Sequence, residues 1–267
     1  MDLGQKRLFL LDMDGTLYLD ETLFDGTKPF LEEVRRRGGT YLFLTNNSSR
    51  GVESYIEKMN RLGIKTTPAD FLTSVDATIL YLKKHHREKE LFYVFGTRSF
   101  QTQLRQAGLR VTTERSEPVD TLLCGFDTEL TFQKLEDSCI LLNRGVTWLA
   151  TNPDWVCPTW YGSVPDCGSV CEMLHRATGK TPRFLGKPQP EMVRLALERT
   201  GFAPQQAVVI GDRLYTDVAC GINAGIDSIF VLSGEGVMGD MAKYRLNPTW
   251  IYEDIAQIYH ILGENAS

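Results

Sequence analysis

Two aspartates separated by one residue stand directly after an apolar run near the start of the chain. The run ends at Leu11 and is followed by Asp12, Met13, Asp14 and Gly15. Side chains two residues apart on a strand point to the same side, so the two carboxylates would repel each other unless a cation or a shared proton intervened. Hard oxygen ligands of this kind suit Mg²⁺. The pattern indicates a metal site, although Asp and Gly also favour a plain polar turn after a strand.

A second polar segment follows the apolar run Tyr41–Leu44 and begins with Thr45, Asn46 and Asn47. A hydroxyl group and exposed backbone N–H groups before a helix can cradle a phosphate. The same residue types are also the usual N-caps of helices. Taken alone, this segment therefore favours a structural role.

Two further motifs lie in the last third of the chain. Lys187 stands between a glycine and a proline, and the proline holds the lysine backbone extended. Its ammonium group could pair with a phosphate as a point charge, or could simply be solvated. An apolar run then leads into Gly-Asp at Asp212, with Asp217 shortly after it. These carboxylates could complete an Mg²⁺ shell, or could belong to a glycine turn and the first turn of a helix.

Apolar runs and helical patterns alternate along the chain, which predicts parallel βαβ units and an α/β fold with a doubly wound, Rossmann-like sheet. The predicted strands are 8–11, 41–44, 91–95, 121–124, 147–150, 207–210 and 228–232. The predicted helices are 29–37, 51–62, 75–84, 100–107, 132–142, 169–177, 191–199, one ending at 224, and 255–262. The four motifs stand at the carboxyl ends of predicted strands, where open α/β sheets bind their ligands.

Composition excludes several classes of protein. The chain has 267 residues, of which 42% are apolar and 24% charged, as in globular proteins. The net charge of −5 argues against nucleic acid or an anionic membrane as a partner. The first residues lack the apolar core of a signal peptide and no segment reaches transmembrane length, so we expect a cytoplasmic protein. The six cysteines include no CxxC pair, and we expect buried free thiols.

Together, the segments DMDGT, LTNN, GKP and GDRLYTD resemble the motifs of the haloacid dehalogenase superfamily of phosphohydrolases, and the resemblance extends from end to end of the chain. The long interval between Thr45 and Lys187, with the segment ATNPD inside it, looks like the NagD-like (type IIA) branch. This resemblance implies a catalytic core formed by residues 1–79 and 182–267. An α/β cap of the C2 type is implied at residues 80–181.

By this resemblance the protein is an Mg²⁺-dependent phosphatase that acts through an aspartyl-phosphate. Asp12 would be the nucleophile and Asp14 the general acid and base, with Thr45 and Lys187 completing the catalytic set. Mg²⁺ would be held by the carboxylates of Asp12 and Asp212, by the backbone carbonyl of Asp14, and by Asp217 directly or through water. The residues implied to bind the phosphoryl group are Gly15, Thr45, Asn46, Asn47 and Lys187.

The cap is implied to cover the pocket and to select the substrate. Its candidate substrate-binding residues are Asn152, Asp154 and Asp166. Many relatives have a small residue at the position of Asp166, so this aspartate is predicted to alter the charge preference for substrates. Trp155, Trp160 and Tyr161 are further candidates, although aromatic residues in such loops more often pack than bind.

The implied partner is a small phosphorylated metabolite such as a sugar phosphate or a nucleoside monophosphate, with p-nitrophenyl phosphate as an artificial substrate. The protein is expected to be a monomer or a homodimer. Two alternatives stay open: a phosphotransferase on the same core, and a non-catalytic protein that accepts or binds a phosphoryl group. Little chain follows the first motif before the next strand, which argues against the cap of a phosphomutase.

Overall fold

The computed structural model describes residues 2–86, 89–159 and 161–264, and it confirms the predicted α/β class. The strands are β1 Leu8–Leu11, β2 Tyr18–Leu19, β3 Thr22–Leu23, β4 Thr40–Thr45, β5 Phe71–Thr73, β6 Leu91–Phe95, β7 Arg110–Thr112, β8 Thr121–Cys124, β9 Thr147–Ala150, β10 Val156–Thr159, β11 Gly162–Pro165, β12 Arg183–Phe184, β13 Ala207–Gly211, β14 Asp227–Val231 and β15 Trp250–Tyr252.

Helices alternate with these strands through most of the chain. They are α1 Thr27–Arg36, α2 Val52–Arg61, α3 Ser74–His85, α4 Arg98–Gln106, α5 Phe132–Asn143, α6 Cys167–Thr178, α7 Glu191–Thr200, α8 Ala219–Ala224, α9 Asp240–Tyr244 and α10 Ile255–Glu264. Short 3₁₀ turns lie at Leu3–Gln5, Pro68–Asp70 and Pro204–Gln206. A π-helical segment, Leu214–Val218, leads directly into α8.

The first compact unit comprises residues 2–45, 55–72 and 187–264 and contains a sheet in the order β15-β14-β13-β1-β4-β5. The pairs from β15 across to β4 are parallel. All four side chains of β1 are buried, as expected for a strand covered on both faces. Leu11 pairs with Ile210 on one side and with Phe43 on the other, so these three strands end at the same edge. The residues that follow them are therefore brought together.

The second compact unit comprises residues 46–54 and 73–186 and contains a parallel sheet in the order β12-β9-β8-β6-β7. Successive side chains of its strands enter two different apolar clusters. Tyr93 and Phe95 pack with Trp148 in one of them, and Phe92 and Val94 pack in the other. Strands β10 and β11 form a separate antiparallel hairpin. The predicted cap of residues 80–181 lies within this unit, which extends further at both ends.

The continuous apolar runs are the best predicted elements, since β6, β8 and β9 have their predicted bounds. The structure adds the short strands β5, β7, β12 and β15, which lie at or next to the sheet edges. It also replaces the start of the helix predicted after β13 by the π-helical segment, in which the N–H of Val218 donates to the carbonyl of Arg213 (3.2 Å).

The structure also bears on the expected absence of a transmembrane segment and on the expected free thiols. Among the described residues, no helix is both long and apolar enough to cross a membrane. The cysteines within this part of the chain form no disulfide, and they are buried except for Cys139 and Cys157, which are half-buried. Trp160, a predicted pocket residue, lies outside the described residues.

Candidate active site

Three of the predicted site residues meet at the carboxyl edge of the first sheet. Asp12 follows β1, and its N–H donates to the carbonyl of Ile210 (2.9 Å), which ties it to the neighbouring strand. Asp212 follows β13, and Asp217 lies in the π-helical segment beyond it. Carboxylate oxygens of these three aspartates lie within 4.8 Å of one another. The sheet therefore concentrates three acidic groups in one place.

Lys187 is the basic group of this cluster and is 2% exposed. Its Nζ donates to Asp12 Oδ1 (2.5 Å), to Asp217 Oδ1 (2.6 Å) and to the carbonyl of Leu44 (3.2 Å). Burial favours the neutral amine, but the two carboxylates outweigh it and raise the pKa of Lys187 above its ordinary value. The lysine is therefore a fixed positive charge at neutral pH.

The three carboxylates carry more negative charge than one lysine balances. Burial, opposed by Lys187 and assisted by Asp212, raises the pKa of Asp12 to about 6. Burial and the charge of Asp217 raise the pKa of Asp212 to about 7, and burial raises that of Asp217 to about 6. A buried group of like charges with perturbed pKa values is typical of a functional site. Additional positive charge would stabilise the ionised form of all three.

A divalent metal ion fits this cluster. The Oδ2 atom of Asp212 accepts from the N–H of Glu235 (2.7 Å), whereas its Oδ1 atom is buried and has no hydrogen-bond partner in the part of the chain that the structure describes. Buried carboxylate oxygens are normally satisfied, and a cation would satisfy this one. The Asp14 carboxylate is 49% exposed and is not one of the three clustered carboxylates. Its backbone carbonyl is the predicted ligand, and that assignment stays a prediction.

Glycine allows the loop after β1 to approach Asp212. Gly15 has φ of 83°, and a Cβ atom there would lie 2.5 Å from Asp212 Oδ2 and 3.1 Å from the Cα of Gly234. The loop is also held by Ser233, whose hydroxyl donates to the carbonyl of Gly15 (2.7 Å). Any side chain at position 15 would be strained in this conformation and would displace Asp212. Phosphoryl contact by Gly15 stays a prediction.

The sequence did not point to the surroundings of Asp14. The hydroxyl of Tyr18 donates to Asp14 Oδ2 (3.4 Å), and Nζ of Lys58 donates to Asp14 Oδ1 (3.4 Å). Burial and the Asp14 charge raise the pKa of Tyr18, which keeps its hydroxyl protonated. Lys58 comes from α2, far from the motif in sequence, so no local pattern could have linked it to Asp14.

The predicted phosphate-binding segment is divided between the two units. Thr45 belongs to the first unit, and its hydroxyl lies 3.5 Å from that of Tyr55. Asn46 and Asn47 belong to the second unit. The Oδ1 atom of Asn47 accepts from both the N–H (2.9 Å) and the hydroxyl (2.7 Å) of Ser49, as in an Asx-turn. Phosphoryl binding by these residues stays a prediction.

The predicted cap residues form a buried network inside the second unit. The Asp154 carboxylate accepts from the side-chain amides of Asn46 (2.7 Å) and Asn152 (2.8 Å). Asp166 caps α6 by accepting from the N–H of Cys167 (2.5 Å), and it also accepts from the amide of Asn152 (3.0 Å). Asn152 is fully buried, and the two aspartates are at most 5% exposed. Substrate contact by these residues stays a prediction.

Comparisons with known proteins find relatives over most of this chain. Residues 9–110 match the model of a family described as haloacid dehalogenase-like hydrolase, and residues 184–258 match one described as HAD-hydrolase-like. An acid sugar phosphatase of Staphylococcus aureus is 32% identical over 251 residues, covering 94% of this chain and 96% of the relative. The solved structure of a 4-nitrophenylphosphatase of Thermotoga maritima has a TM-score of 0.89 at 35% identity, covering 97% of this chain and 98% of that chain. A glycerol phosphate phosphatase of Mycobacterium tuberculosis, solved with magnesium, has a TM-score of 0.87 at 28% identity, covering 97% of this chain and 78% of that chain.

Proposed function

Because the chain belongs to the NagD-like (type IIA) branch of the haloacid dehalogenase-like hydrolases, we propose that it hydrolyses small phosphate monoesters through an aspartyl-phosphate on Asp12. The observation that carries this proposal is the cluster of Asp12, Asp212 and Asp217 around one buried lysine, with a buried Asp212 oxygen that has no hydrogen-bond partner among the described residues. The carboxylates are suited to a metal ion, and Lys187 together with such an ion is suited to the negative charge of a phosphoryl group.

Asp12 is the proposed nucleophile, and its side chain is 17% exposed, which leaves it accessible to a substrate. An oxygen of its carboxylate attacks phosphorus while the bond to the leaving oxygen breaks. Asp14, in its protonated form, gives its proton to that oxygen, and the alcohol departs. Water then attacks the aspartyl-phosphate, and the Asp14 carboxylate takes its proton. Inorganic phosphate leaves, and both aspartates return to their starting states.

Charge stabilisation is the proposed task of Lys187 and of a bound Mg²⁺ ion. The carboxylates of Asp12, Asp212 and Asp217 would hold the ion together with the Asp14 carbonyl. When bound, the ion supplies positive charge that offsets the negative charge of the phosphoryl oxygens. Lys187 keeps Asp12 ionised and in place, since its ammonium group is held between Asp12 and Asp217.

The proposed substrates are sugar phosphates and similar small monoesters. This choice is supported by the relatives, which are named as an acid sugar phosphatase, a 4-nitrophenylphosphatase and a glycerol phosphate phosphatase. Thr45 is the proposed phosphoryl ligand of the first unit, because its hydroxyl ends β4 at the same edge as Asp12.

The test is Mg²⁺-dependent phosphate release from a hexose phosphate, glycerol phosphate, a nucleoside monophosphate and 4-nitrophenyl phosphate. We expect turnover that chelation abolishes and that Asp12→Asn lowers by roughly 10⁴-fold or more. Asp25→Asn, an exposed aspartate of the same unit, is the matched control and should leave turnover unchanged.

Acid quenching followed by peptide mass analysis should find the phosphoryl group on Asp12. Absence of turnover on every ester, or equal turnover in Asp12→Asn, would contradict the proposal. A stable phosphoryl group without turnover would identify a phosphoryl-accepting protein instead. Transfer of phosphate to an added alcohol in place of water would identify a phosphotransferase.

A further inference from the structure

Helix α2 carries polar side chains at every third position from Tyr55 onward, and each contacts a different part of the first unit. The hydroxyl of Tyr55 lies beside that of Thr45 (3.5 Å). Two turns along, Arg61 pairs with Glu21 in the segment between β2 and β3 (3.2 Å). Residues three apart share one face of a helix, so a single face presents all of these groups.

Lys58 lies between them on this face and contacts the proposed acid. Its Nζ is 3.4 Å from Asp14 Oδ1 and 3.9 Å from the centroid of the Tyr18 ring. The lysine side chain is only 17% exposed, although the Asp14 carboxylate is 49% exposed. An ammonium group over an aromatic face is attracted by the negative charge of that face. Lys58 is therefore held in place by Tyr18 instead of moving freely in solvent.

Tyr18 contacts the other oxygen of the same carboxylate. Its ring is fully buried, and its hydroxyl donates to Asp14 Oδ2 (3.4 Å). The backbone ties the pair together as well, because the N–H of Gly15 donates to the carbonyl of Tyr18 (2.8 Å). Each carboxylate oxygen of Asp14 therefore has its own donor, and the ring of Tyr18, one of these donors, also holds the ammonium group of Lys58, the other.

We propose that Lys58 is a positioning residue that, together with Tyr18, fixes the orientation of the Asp14 carboxylate for proton transfer to the leaving oxygen. An exposed aspartate without such contacts would populate several rotamers, of which only one serves the transfer. Hydrogen bonds at catalytic groups are often long in the absence of substrate and shorten when it binds. This inference rests on the proposed function of Asp14.

Two esters whose leaving groups differ in acidity can distinguish a role of Lys58 in positioning Asp14 from a general effect of Lys58 on the site. The 4-nitrophenolate ion departs with little need for a proton, whereas the alkoxide of glycerol phosphate must be protonated as it leaves. Single-turnover release of the alcohol or phenol, with enzyme in excess over ester, reports the first chemical step alone. Wild-type protein must show this step with both esters, and its failure to do so would refute the proposed function.

For Lys58→Met, we expect alcohol release from glycerol phosphate to slow by roughly 10- to 100-fold, because the general acid contributes roughly 10²- to 10⁴-fold in all. Release of 4-nitrophenol should change by less than about threefold, because this step needs little proton transfer. Lys58→Arg keeps a donor over the ring and should restore most of the lost rate. Lys65→Met, an exposed lysine just beyond the helix, is the matched control and should behave as wild type.

Tyr18→Phe keeps the aromatic face but removes the second donor to Asp14. We expect a smaller loss with the same selectivity for glycerol phosphate. Equal slowing of both esters by Lys58→Met would overturn the inference and indicate contact with the phosphoryl group or general damage to the site. Unchanged rates with both esters would also overturn it. Urea unfolding of each variant identifies a variant that fails to fold, and Tyr18→Phe then carries the test.

Discussion

Two clusters of largely buried acidic side chains, one in each compact unit, differ in whether hydrogen bonds satisfy their carboxylate oxygens. In the first unit, Asp12 and Asp217 share one lysine, and Asp212 has a buried oxygen that no donor within residues 2–86, 89–159 and 161–264 reaches. Burial raises the pKa of each of these three acids to about 6 or 7. The three carboxylates carry more negative charge than Lys187 balances, and a bound cation would offset it.

In the second unit, Asp154 and Asp166 accept from the amide of Asn152, and each has a further donor from Asn46 or from the backbone of Cys167. Here the carboxylates connect a loop to the start of α6, and their donors come from the same unit. Both clusters contain acids that sequence reasoning assigned to the site. Both clusters are buried and acidic, but among the described residues only the first contains a buried carboxylate oxygen without a hydrogen-bond partner, which is the feature that suits a cation.

Of the changes that test this comparison, the largest effect is expected from removing Lys187, the ammonium group that Asp12 and Asp217 share. For Lys187→Met, we expect turnover to fall by roughly 10²- to 10³-fold, the usual cost of losing a group that stabilises developing charge. We also expect a loss of about 3 kcal/mol in the free energy of unfolding in EDTA, because two buried carboxylates lose their partner. Mg²⁺ should restore part of the stability. Steady-state kinetics and urea unfolding measure the two effects.

Lys6→Met is the matched control for this variant. Lys6 is also a buried lysine of the first unit, 4% exposed and 2.5 Å from Asp227, but it lies at the opposite end of the sheet, before β1. It should lose stability while keeping its turnover number. Similar turnover in Lys187→Met and Lys6→Met would show that the first cluster is structural and would remove the distinction between the two clusters.

Strands were predicted with their observed bounds where their own residues form a continuous apolar run. Strand β6 is apolar throughout, strands β8 and β9 are apolar after their first residue, and the predicted bounds of all three are those observed. Strand β12, Arg183–Phe184, has only two residues and one apolar side chain, and it forms by pairing with β9. Such edge strands depend on a neighbour that a local pattern does not reveal.

Among the predicted site residues, Asp12 and Asp212 directly follow apolar strands, and the sheet edge brings them together, while their roles in the site stay predictions. Sequence reasoning missed Lys58 and Tyr18, which reach Asp14 from a helix and from the short strand β2. A lysine on an amphipathic helix is usually solvated, so its residue type and spacing carried no signal. Only the tertiary structure brings it to the carboxylate.

An intermediate effect is expected from breaking the second cluster. Asn152→Ala removes the donor that Asp154 and Asp166 share, and we expect a loss of about 1–3 kcal/mol in the free energy of unfolding. If the network serves the second unit alone, KM for glycerol phosphate should stay near the wild-type value while the protein is folded. A raised KM with unchanged stability would instead support the predicted substrate contact of Asn152.

The smallest expected effect has the opposite sign and concerns Asp212. A carboxyl group whose pKa is raised in the folded state binds more protons there than in the unfolded chain, so its contribution to stability decreases as pH rises. For Asp212 this decrease begins near the unfolded pKa of about 4 and ends near the folded value of about 7. The side-chain amide of Asp212→Asn, in contrast, does not become charged as pH rises. In EDTA it should therefore be more stable than wild type at pH 8, by on the order of 1 kcal/mol.

The measurement is urea unfolding of wild type and Asp212→Asn at pH 5 and pH 8, with EDTA and with Mg²⁺. The advantage of the variant should be small at pH 5, should grow at pH 8, and should reverse with Mg²⁺, because only the wild-type carboxylate stabilises the folded protein by binding the ion. Asp137→Asn is the matched control, since this buried carboxylate is already paired with Arg115 (2.7 Å) and its removal should destabilise the protein. If both variants lost stability in EDTA at pH 8, the carboxylate of Asp212 would be as well compensated as that of Asp137, and the contrast between a ligand site and a structural acid would not hold there.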